Sequence, residues 1–198
     1  MNGCIFCELD KSIFYNTIIE ETKYFYVIPA LGALVEGYVI IVSKEHVNSM
    51  IELDNYILKE YDSLLKKYRS QFKEFYRKYP IVFEHGNPDI SDFCSSCVDH
   101  AHAHIVNHNF KNEDDVLKKL NLQRIDNINN IIDRNYIFYQ NHLGENYITY
   151  NFKPVKQMMR REIAKDLGIE EMYNWRQYPF NENMRKTIEK FGENLDGK

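Results

Sequence analysis

The chain has 198 residues, 44% of them hydrophobic and 14% aromatic, so it can bury a core and is not intrinsically disordered. Its formal net charge is −4, which argues against a general affinity for phosphate backbones and against nucleic acid as a partner. The start of the chain has no apolar signal core, and no later apolar run reaches membrane-spanning length. We therefore expect a cytoplasmic protein without a membrane segment.

The first half of the chain predicts strands around one long helix. Residues 16–30 contain two short β-rich stretches separated by a polar turn, which is typical of a hairpin. A strand is expected from Tyr38 to Val42. Residues 51–77 place apolar side chains at helical spacing between charged ones and predict the long helix. Residues 80–86, "PIVFEHG", predict a further strand.

The second half is more polar and predicts helices and one hairpin. Residues 114–133 predict one or two helices, and residues 135–152 form strand, glycine-containing turn and strand. Residues 153–175 and 181–191 predict two more helices, the second capped by Asn181 or Asn183. We predict an α+β fold with a first unit over residues 1–110 and an extension over residues 111–198 packed on it.

Three of the seven histidines stand on alternate positions in "HAHAHIV", residues 100–106. Alternate side chains of a strand face the same side, about 6.5–7 Å apart, so a strand would present His100, His102 and His104 as one row. A helix would scatter them over different faces. A row of imidazoles suits metal ligation or attack on phosphorus. The alternative is a set of hydrogen-bonded histidines on a half-buried strand.

The four cysteines form two Cys-x-x-Cys pairs, "CIFC" (Cys4, Cys7) and "CSSC" (Cys94, Cys97). Without an export signal, they are interpreted as reduced thiols for metal or chemistry rather than as disulfides. Two further ligands would complete a tetrahedral zinc site on "CIFC". A four-cysteine site, a redox pair and a pair of buried small hydrophobes remain open alternatives.

With these motifs the sequence resembles the histidine-triad (HIT) superfamily, and specifically its zinc-bearing branch. "HAHAHIV" matches the His-x-His-x-His-x-x signature, and "CIFC", "GYVIIVSKEHV" and "FEHG" agree in order over about residues 4–108. The resemblance implies an antiparallel sheet with one long helix, and a homodimer. It also implies a structural zinc ion bound by Cys4, Cys7, His46 and His100.

The resemblance also assigns catalytic roles. In the family the middle histidine attacks the α-phosphorus of a nucleotide derivative and later releases the nucleotidyl group to water or another acceptor. This makes His102 the expected nucleophile, with a second ring nitrogen donating a hydrogen bond, and His104 the residue that contacts phosphate and helps to balance charge on the leaving side.

The predicted phosphate and sugar contacts depart from the family pattern. Backbone N–H groups of the "CSSC" turn and the hydroxyls of Ser95 and Ser96 are expected to bind phosphate, but Cys97 stands where many members have Ser or Thr. Glu84 stands where many members have an amide beside the phosphate, and Ala30 falls where an acidic residue holds the ribose. The expected small-molecule ligand is therefore a nucleotide or another phosphoric ester or anhydride.

Basic and aromatic residues after position 156 are candidates to supply missing contacts. Arginine forks suit phosphate oxygens and aromatic rings suit a base, and we choose Arg176 as the phosphate-binding candidate. The alternative is that these residues form a solvated helix face and a buried core. The candidates are Arg160, Arg161, Arg176, Lys186, Tyr173, Trp175 and Tyr178.

Three functions are compatible with these residues. The leading one is a phosphoester or phosphoanhydride hydrolase or transferase that works through a covalent adduct of His102. The second is a non-catalytic nucleotide-binding or zinc-stabilised interaction module, in line with the missing ribose carboxylate. The third is a zinc hydrolase that uses the histidine row as catalytic ligands, which requires an open coordination position.

Overall fold

A computed structural model describes residues 3–86, 100–126, 131, 135–150 and 156–192. Its helices are α1 (Asn55–Tyr76), α2 (Glu113–Lys119), α3 (Met158–Asp166) and α4 (Asn181–Gly192). Its strands are β1 (Glu20–Glu21), β2 (Phe25–Pro29), β3 (Tyr38–Ser43), β4 (Ile81–Gly86), β5 (His102–Val106), β6 (Gln123–Ile125), β7 (Tyr136–Gln140) and β8 (Asn146–Thr149). Among the described helices, none combines the length and the apolar character that crossing a membrane requires.

The strands form one antiparallel sheet in the order β1-β2-β3-β5-β4-β7-β8-β6. This confirms the predicted α+β class with an antiparallel sheet. Both predicted hairpins form, as β1–β2 and β7–β8. The strands that follow residue 110 join the same sheet through β7, which pairs with β4. The family-like part and the later part of the chain thus share one hydrogen-bonded layer.

The long helix forms where its apolar periodicity predicts it, although it begins later. Ser49 accepts a hydrogen bond from the Ile51 N–H and opens a short 3₁₀ turn over Met50–Glu52, so α1 itself begins at Asn55. It ends where Arg77 takes a left-handed conformation with φ of 59°. The apolar stripe of α1 is buried against one face of the sheet, which we call the helix face.

The helical prediction for residues 114–133 holds only over the first part of that segment. Residues 114–133 were expected to be helical, but α2 ends at Lys119 and residues Gln123–Ile125 pair with β8 as an edge strand. Asn121 has φ of 52°, a left-handed conformation that stops the helix and turns the chain toward the sheet. The tertiary pairing with β8 then decides the state of a segment whose own pattern is weak.

Strand alternation gives the sheet two different faces. Val39, Ile41, Ala103 and Ile105 point to the helix face, where they pack in the core that includes α1. On the opposite side the buried residues Tyr38, Ile40, Val42, Phe83 and Val106 pack in a second core with residues of α2, α3 and α4. We call this second side the tail face.

Hydrogen bonds fasten the C-terminal helices to the loop between β2 and β3. The Gly32 N–H donates to the Pro179 carbonyl at 3.1 Å, and the Asn183 amide donates to the Ala33 carbonyl at 2.8 Å. The Gly37 N–H donates to the Thr187 hydroxyl at 2.9 Å, in a buried position. Through these bonds the loop between β2 and β3 holds the C-terminal segment against the tail face of the sheet.

Candidate active site and metal cluster

The histidine run does form a strand, as its alternation predicts, and β5 lies in the middle of the sheet between β3 and β4. His102 and His104 project to the tail face, whereas Ala103 and Ile105 are fully buried on the helix face. His100 precedes the strand and is 1% exposed. The strand was expected to begin at Val98, which lies outside the described residues.

The structure brings together the four side chains that the family resemblance assigns to zinc. One ligand atom from each of Cys4, Cys7, His46 and His100 lies within 4.8 Å of all the others. Cys7 Sγ is 3.1 Å from His46 Nδ1, and Cys4 Sγ is 3.4 Å from His100 Nδ1. The two histidine Nδ1 atoms are 3.2 Å apart.

This geometry fits a tetrahedral metal ion. With Zn–S near 2.3 Å and Zn–N near 2.05 Å, tetrahedral ligands stand about 3.6 Å apart for S and N and about 3.3 Å apart for two N atoms. His100 Nε2 lies 2.7 Å from the Ser43 carbonyl, which can only accept, so Nε2 carries the proton. Nδ1 of His100 therefore keeps a free lone pair for a metal, oriented by its second hydrogen bond.

His102 has the hydrogen bond that a nucleophilic imidazole requires. Its Nδ1 donates to the carbonyl oxygen of His100 at 2.6 Å, so its Nε2 carries a lone pair. Burial lowers the pKa of His102 to about 4, which keeps the ring neutral near pH 7. The partner carbonyl, which could not be identified from sequence, belongs to the residue two positions earlier on the same strand.

His104 is held by two aromatic neighbours. Its Nδ1 lies 3.0 Å from the Tyr38 hydroxyl, and its ring stacks on Phe83 with centroids 4.4 Å apart. Burial is the main cause that holds the pKa of His104 well below its usual value, and the nearby His102 and the Arg160 guanidinium add to it. A neutral His104 can contact an anion by a hydrogen bond, and its expected help in balancing charge on the leaving side stays a prediction.

A cavity of about 390 Å³ opens beside these rings. We call it the triad cavity. Three parts of the chain line it in addition to His102 and His104: the N-terminal segment that carries the cysteines, the end of β2 with the loop after it, and the C-terminal segment. Its walls include Cys4, Phe6, Glu8, Asp10, Ile28, Ala30, Leu31, Ile40, Arg160 and Trp175.

Two wall residues bear on the missing ribose carboxylate. Ala30 lines the cavity and is 2% exposed, so the position expected to hold a sugar offers only a methyl group. The carboxylates on the wall are instead Glu8 and Asp10, both exposed. Asp10 accepts hydrogen bonds from the Ser12 N–H and hydroxyl, which lower its pKa. Sequence reasoning missed both, since their placement depends on how the cysteine segment folds back.

Glu84 lies away from the cavity, contrary to the expected phosphate contact. It is 1% exposed on the helix face, where it accepts hydrogen bonds from the Met50 N–H and the Tyr136 hydroxyl, both at 2.8 Å. The physical reason is alternation: Phe83 of the same strand contacts His104, so Glu84 points to the other side. Burial raises the pKa of Glu84 to about 7.

The C-terminal residues on the cavity wall are not the predicted one. Arg176 is exposed, with its guanidinium 5.0 Å from the Trp175 ring centroid, and it is not part of the cavity wall. Trp175 and Arg160 are part of that wall. Tyr38 was not singled out from sequence, although it stands on alternate positions with Ile40 and Val42 and so shares the face of the histidines.

The predicted phosphate-binding turn cannot be compared with the structure. Ser95, Ser96 and Cys97 lie outside the described residues, as does Cys94 of the alternative four-cysteine site. Their contact with phosphate or metal stays a prediction. Within the described part of the chain, the Cys4, Cys7, His46 and His100 cluster is the group arranged to hold a metal ion.

One family model matches more than half of the chain. The family model described as "Protein similar to CwfJ C-terminal" matches residues 1–111. No curated protein sequence matches the chain significantly.

Solved structures with a similar fold include three histidine-triad proteins. A Zn-bound histidine triad family protein from Mycobacterium smegmatis is 11% identical, with 99% of this chain and 98% of that chain covered and a TM-score of 0.46. A hypothetical histidine triad nucleotide-binding protein from Sulfolobus tokodaii is 18% identical, with 97% and 93% covered and a TM-score of 0.45. A HIT family protein from Bacillus anthracis is 19% identical, with 53% and 72% covered and a TM-score of 0.44.

Proposed function

Because this chain belongs to the histidine-triad superfamily, within the family of proteins similar to CwfJ C-terminal, we propose that it is a hydrolase or transferase of nucleotide-type phosphoesters or phosphoanhydrides. His102 is the nucleophile. The observation that carries the proposal is the 2.6 Å hydrogen bond from His102 Nδ1 to the His100 carbonyl, in a ring that lines the triad cavity. That bond fixes the tautomer whose Nε2 lone pair can attack phosphorus.

The proposed reaction has two displacements at phosphorus. In the first, His102 Nε2 forms a bond to phosphorus while the bond from phosphorus to the leaving oxygen breaks, and the leaving group takes up a proton from water. In the second, water or another hydroxyl compound attacks the same phosphorus, releases its proton to solvent and breaks the P–N bond. His102 returns to its neutral form, and the sum is hydrolysis or transfer of the phosphoryl-containing group.

The cluster of Cys4, Cys7, His46 and His100 is proposed to hold a structural zinc ion. Its donor set is two thiolates and two imidazoles at tetrahedral separations, which is the chemistry that Zn²⁺ prefers. All four positions are taken by protein atoms, which disfavours the zinc-hydrolase alternative because that needs a free position for water. When bound, the ion would fasten the N-terminal segment beside the histidine strand.

The test is a search for the covalent adduct. Wild-type protein is mixed in turn with phosphoramidates, dinucleoside polyphosphates and sugar nucleotides. Each reaction is quenched within milliseconds, and the mass of the intact protein is measured by mass spectrometry. We expect a mass increase equal to the transferred group. His102→Asn should lose the adduct and lower kcat by about 10³-fold or more. His142→Asn, in the turn between β7 and β8, is the matched control and should keep both. Turnover that persists in His102→Asn contradicts the proposal.

One observation favours a second candidate, a nucleotide-binding module without catalysis. Ala30 leaves the expected sugar position without a carboxylate. Calorimetry with the same panel separates the two: binding without turnover or adduct supports the module. The homodimer and the cytoplasmic location stay predictions, and light scattering of the purified protein tests the first.

A further inference from the structure

Arg160 is a buried cation next to the catalytic histidines. It stands on α3, is 5% exposed and forms part of the wall of the triad cavity. Its guanidinium carbon lies 5.6 Å from the centroid of the Tyr38 ring, whose hydroxyl bonds to His104. The guanidinium thus lies next to the residue whose hydroxyl bonds to His104.

The hydrogen-bond partners of Arg160 among the described residues are neutral. Nη2 donates to the Gly32 carbonyl at 2.6 Å, and Nε donates to the Tyr173 carbonyl at 3.0 Å and to the Gln157 side-chain oxygen at 3.2 Å. No carboxylate of the described residues lies within ion-pair distance of it. A guanidinium does not lose its proton in a protein, so within the described part of the chain its positive charge is buried without a counter-charge. Such burial is unfavourable unless an anion compensates for it.

The carboxylates on the cavity wall do not supply that compensation. Glu8 and Asp10 are exposed to solvent, and Asp10 already accepts two hydrogen bonds from Ser12. Much of the remaining wall is apolar and includes Ile28, Leu31 and Trp175. An anion that enters would therefore meet Arg160 in surroundings of low polarity, where charge attraction is stronger than in water.

The loop at Gly32 is shaped for this close approach. A Cβ atom on Gly32 would lie 2.5 Å from Trp175 Cβ and 2.9 Å from Arg160 Nη2, and Gly32 has φ of +72°. Only glycine adopts this conformation without strain and leaves that space. The backbone is thus fitted around the two C-terminal side chains that line the cavity.

We propose that Arg160 is the anion-binding residue of the triad cavity, that its ligand is a phosphate or pyrophosphate group, and that the flat remainder of the ligand packs on Trp175. The inference rests on the proposed function for the position of the reacting phosphorus beside His102. It assigns the positive charge beside the histidines to the C-terminal segment, outside the residues that the family model matches.

The experiment uses the only tryptophan of the chain as its probe. Pyrophosphate, AMP and adenosine are titrated separately at constant ionic strength while Trp175 emission is recorded. For wild-type protein we expect saturable changes with AMP and pyrophosphate, and weaker binding of adenosine. Arg160→Gln should weaken AMP and pyrophosphate binding at least about 10-fold, because one charge-assisted hydrogen bond is lost, and should leave adenosine binding unchanged.

Two neighbouring arginines serve as matched controls. Arg161→Gln changes the next residue of the same helix, whose guanidinium contacts the Tyr173 ring and hydroxyl instead of the cavity. Arg176→Gln changes the exposed residue beside Trp175. Both should bind AMP as wild-type protein does. A folded Arg160→Gln protein that binds AMP as tightly as Arg161→Gln overturns the proposal, and so does selective weakening in Arg176→Gln alone.

Two further measurements, ligand effects on the wild-type protein and the adduct test, cover the other outcomes. If Arg160→Gln does not fold, the wild-type protein is still informative: pyrophosphate and AMP must both raise its Tm and change Trp175 emission, and failure of both overturns the proposal. The adduct test is independent. Anion binding that requires Arg160 without any His102 adduct refutes the proposed function alone, whereas an adduct with unchanged binding in Arg160→Gln refutes the role of Arg160 alone.

Discussion

Glu84 and Arg160 are both buried charged side chains, but they lie on opposite faces of one sheet and in different surroundings. Glu84, on the helix face, accepts two hydrogen bonds and has a pKa raised to about 7, so it can become neutral by binding a proton. Arg160, on the tail face, has neutral partners and cannot lose its charge. Glu84 can therefore lose its charge by protonation, whereas the charge of Arg160 persists and is the basis of the proposed anion site.

The largest effect is expected from the cluster of Cys4, Cys7, His46 and His100, because the N-terminal segment that carries the two cysteines forms a wall of the triad cavity. The double variant Cys4→Ser/Cys7→Ser should lose its zinc. It should also lose about 4 kcal/mol or more of unfolding free energy, a fraction of the ~10–16 kcal/mol of structural zinc in finger peptides. Metal analysis by mass spectrometry and chemical denaturation measure the two effects.

The second cysteine pair provides the control for that variant. Cys94→Ser/Cys97→Ser should keep one zinc ion per chain. Zinc that is lost from this variant and kept by Cys4→Ser/Cys7→Ser would instead support a site on the second pair.

Glu84→Gln tests whether the buried carboxyl on the helix face makes stability depend on pH. Folded wild-type protein holds this proton up to a pKa of about 7, whereas the ordinary value is 4.5. Between these values the unfolded chain binds fewer protons than the folded one, so wild-type stability falls as pH rises. Relative to wild type, Glu84→Gln should gain about 3 kcal/mol of unfolding free energy between pH 4 and pH 8.

Urea denaturation across this pH range measures the gain. Glu189→Gln, an exposed residue of α4, should keep a constant difference from wild type. A flat difference for Glu84→Gln as well would mean that Glu84 stays ionised when buried, and the contrast with Arg160 would then fail.

Gly32→Ala tests the tail face with a smaller effect. The added methyl group meets Trp175 and Arg160 and forces a left-handed conformation on alanine, so we expect a loss of about 2 kcal/mol in unfolding free energy and a shift in Trp175 emission. Gly168→Ala is the matched control, since Gly168 has φ of +76° but nothing within 4 Å of the added Cβ.

The control isolates the contact from the backbone conformation. Gly168→Ala should lose about 1 kcal/mol and leave the emission unchanged. Equal losses in both variants would show that the close approach of the C-terminal segment contributes nothing to stability.

Much of the cysteine and histidine cluster and of the histidine strand was predictable because their signals are local. Alternation along "HAHAHIV" predicts that His102 and His104 share a face, and the structure confirms the strand. The cluster of Cys4, Cys7, His46 and His100 follows motifs in the order that the family shares, and the structure brings these four together. Binding of zinc and the chemistry of His102 stay proposals.

The surroundings of the histidines were decided by contacts between distant parts of the chain. Glu84 was expected at the phosphate because the family alignment compares positions along a strand and did not weigh which side each one faces. The segment after Asn121 is a strand because it pairs with the free edge of β8.

The sequence by itself therefore determined the fold class, both hairpins, the long helix and the row of histidines, since each depends on a period of two or 3.6 residues or on a short motif. Only the tertiary structure decided that Arg160 and Trp175, rather than Arg176, line the triad cavity. It also supplied the neutral partners that leave the charge of Arg160 unpaired in the described chain. Hydrogen bonds spanning more than 100 residues set these positions, and no local pattern encodes them.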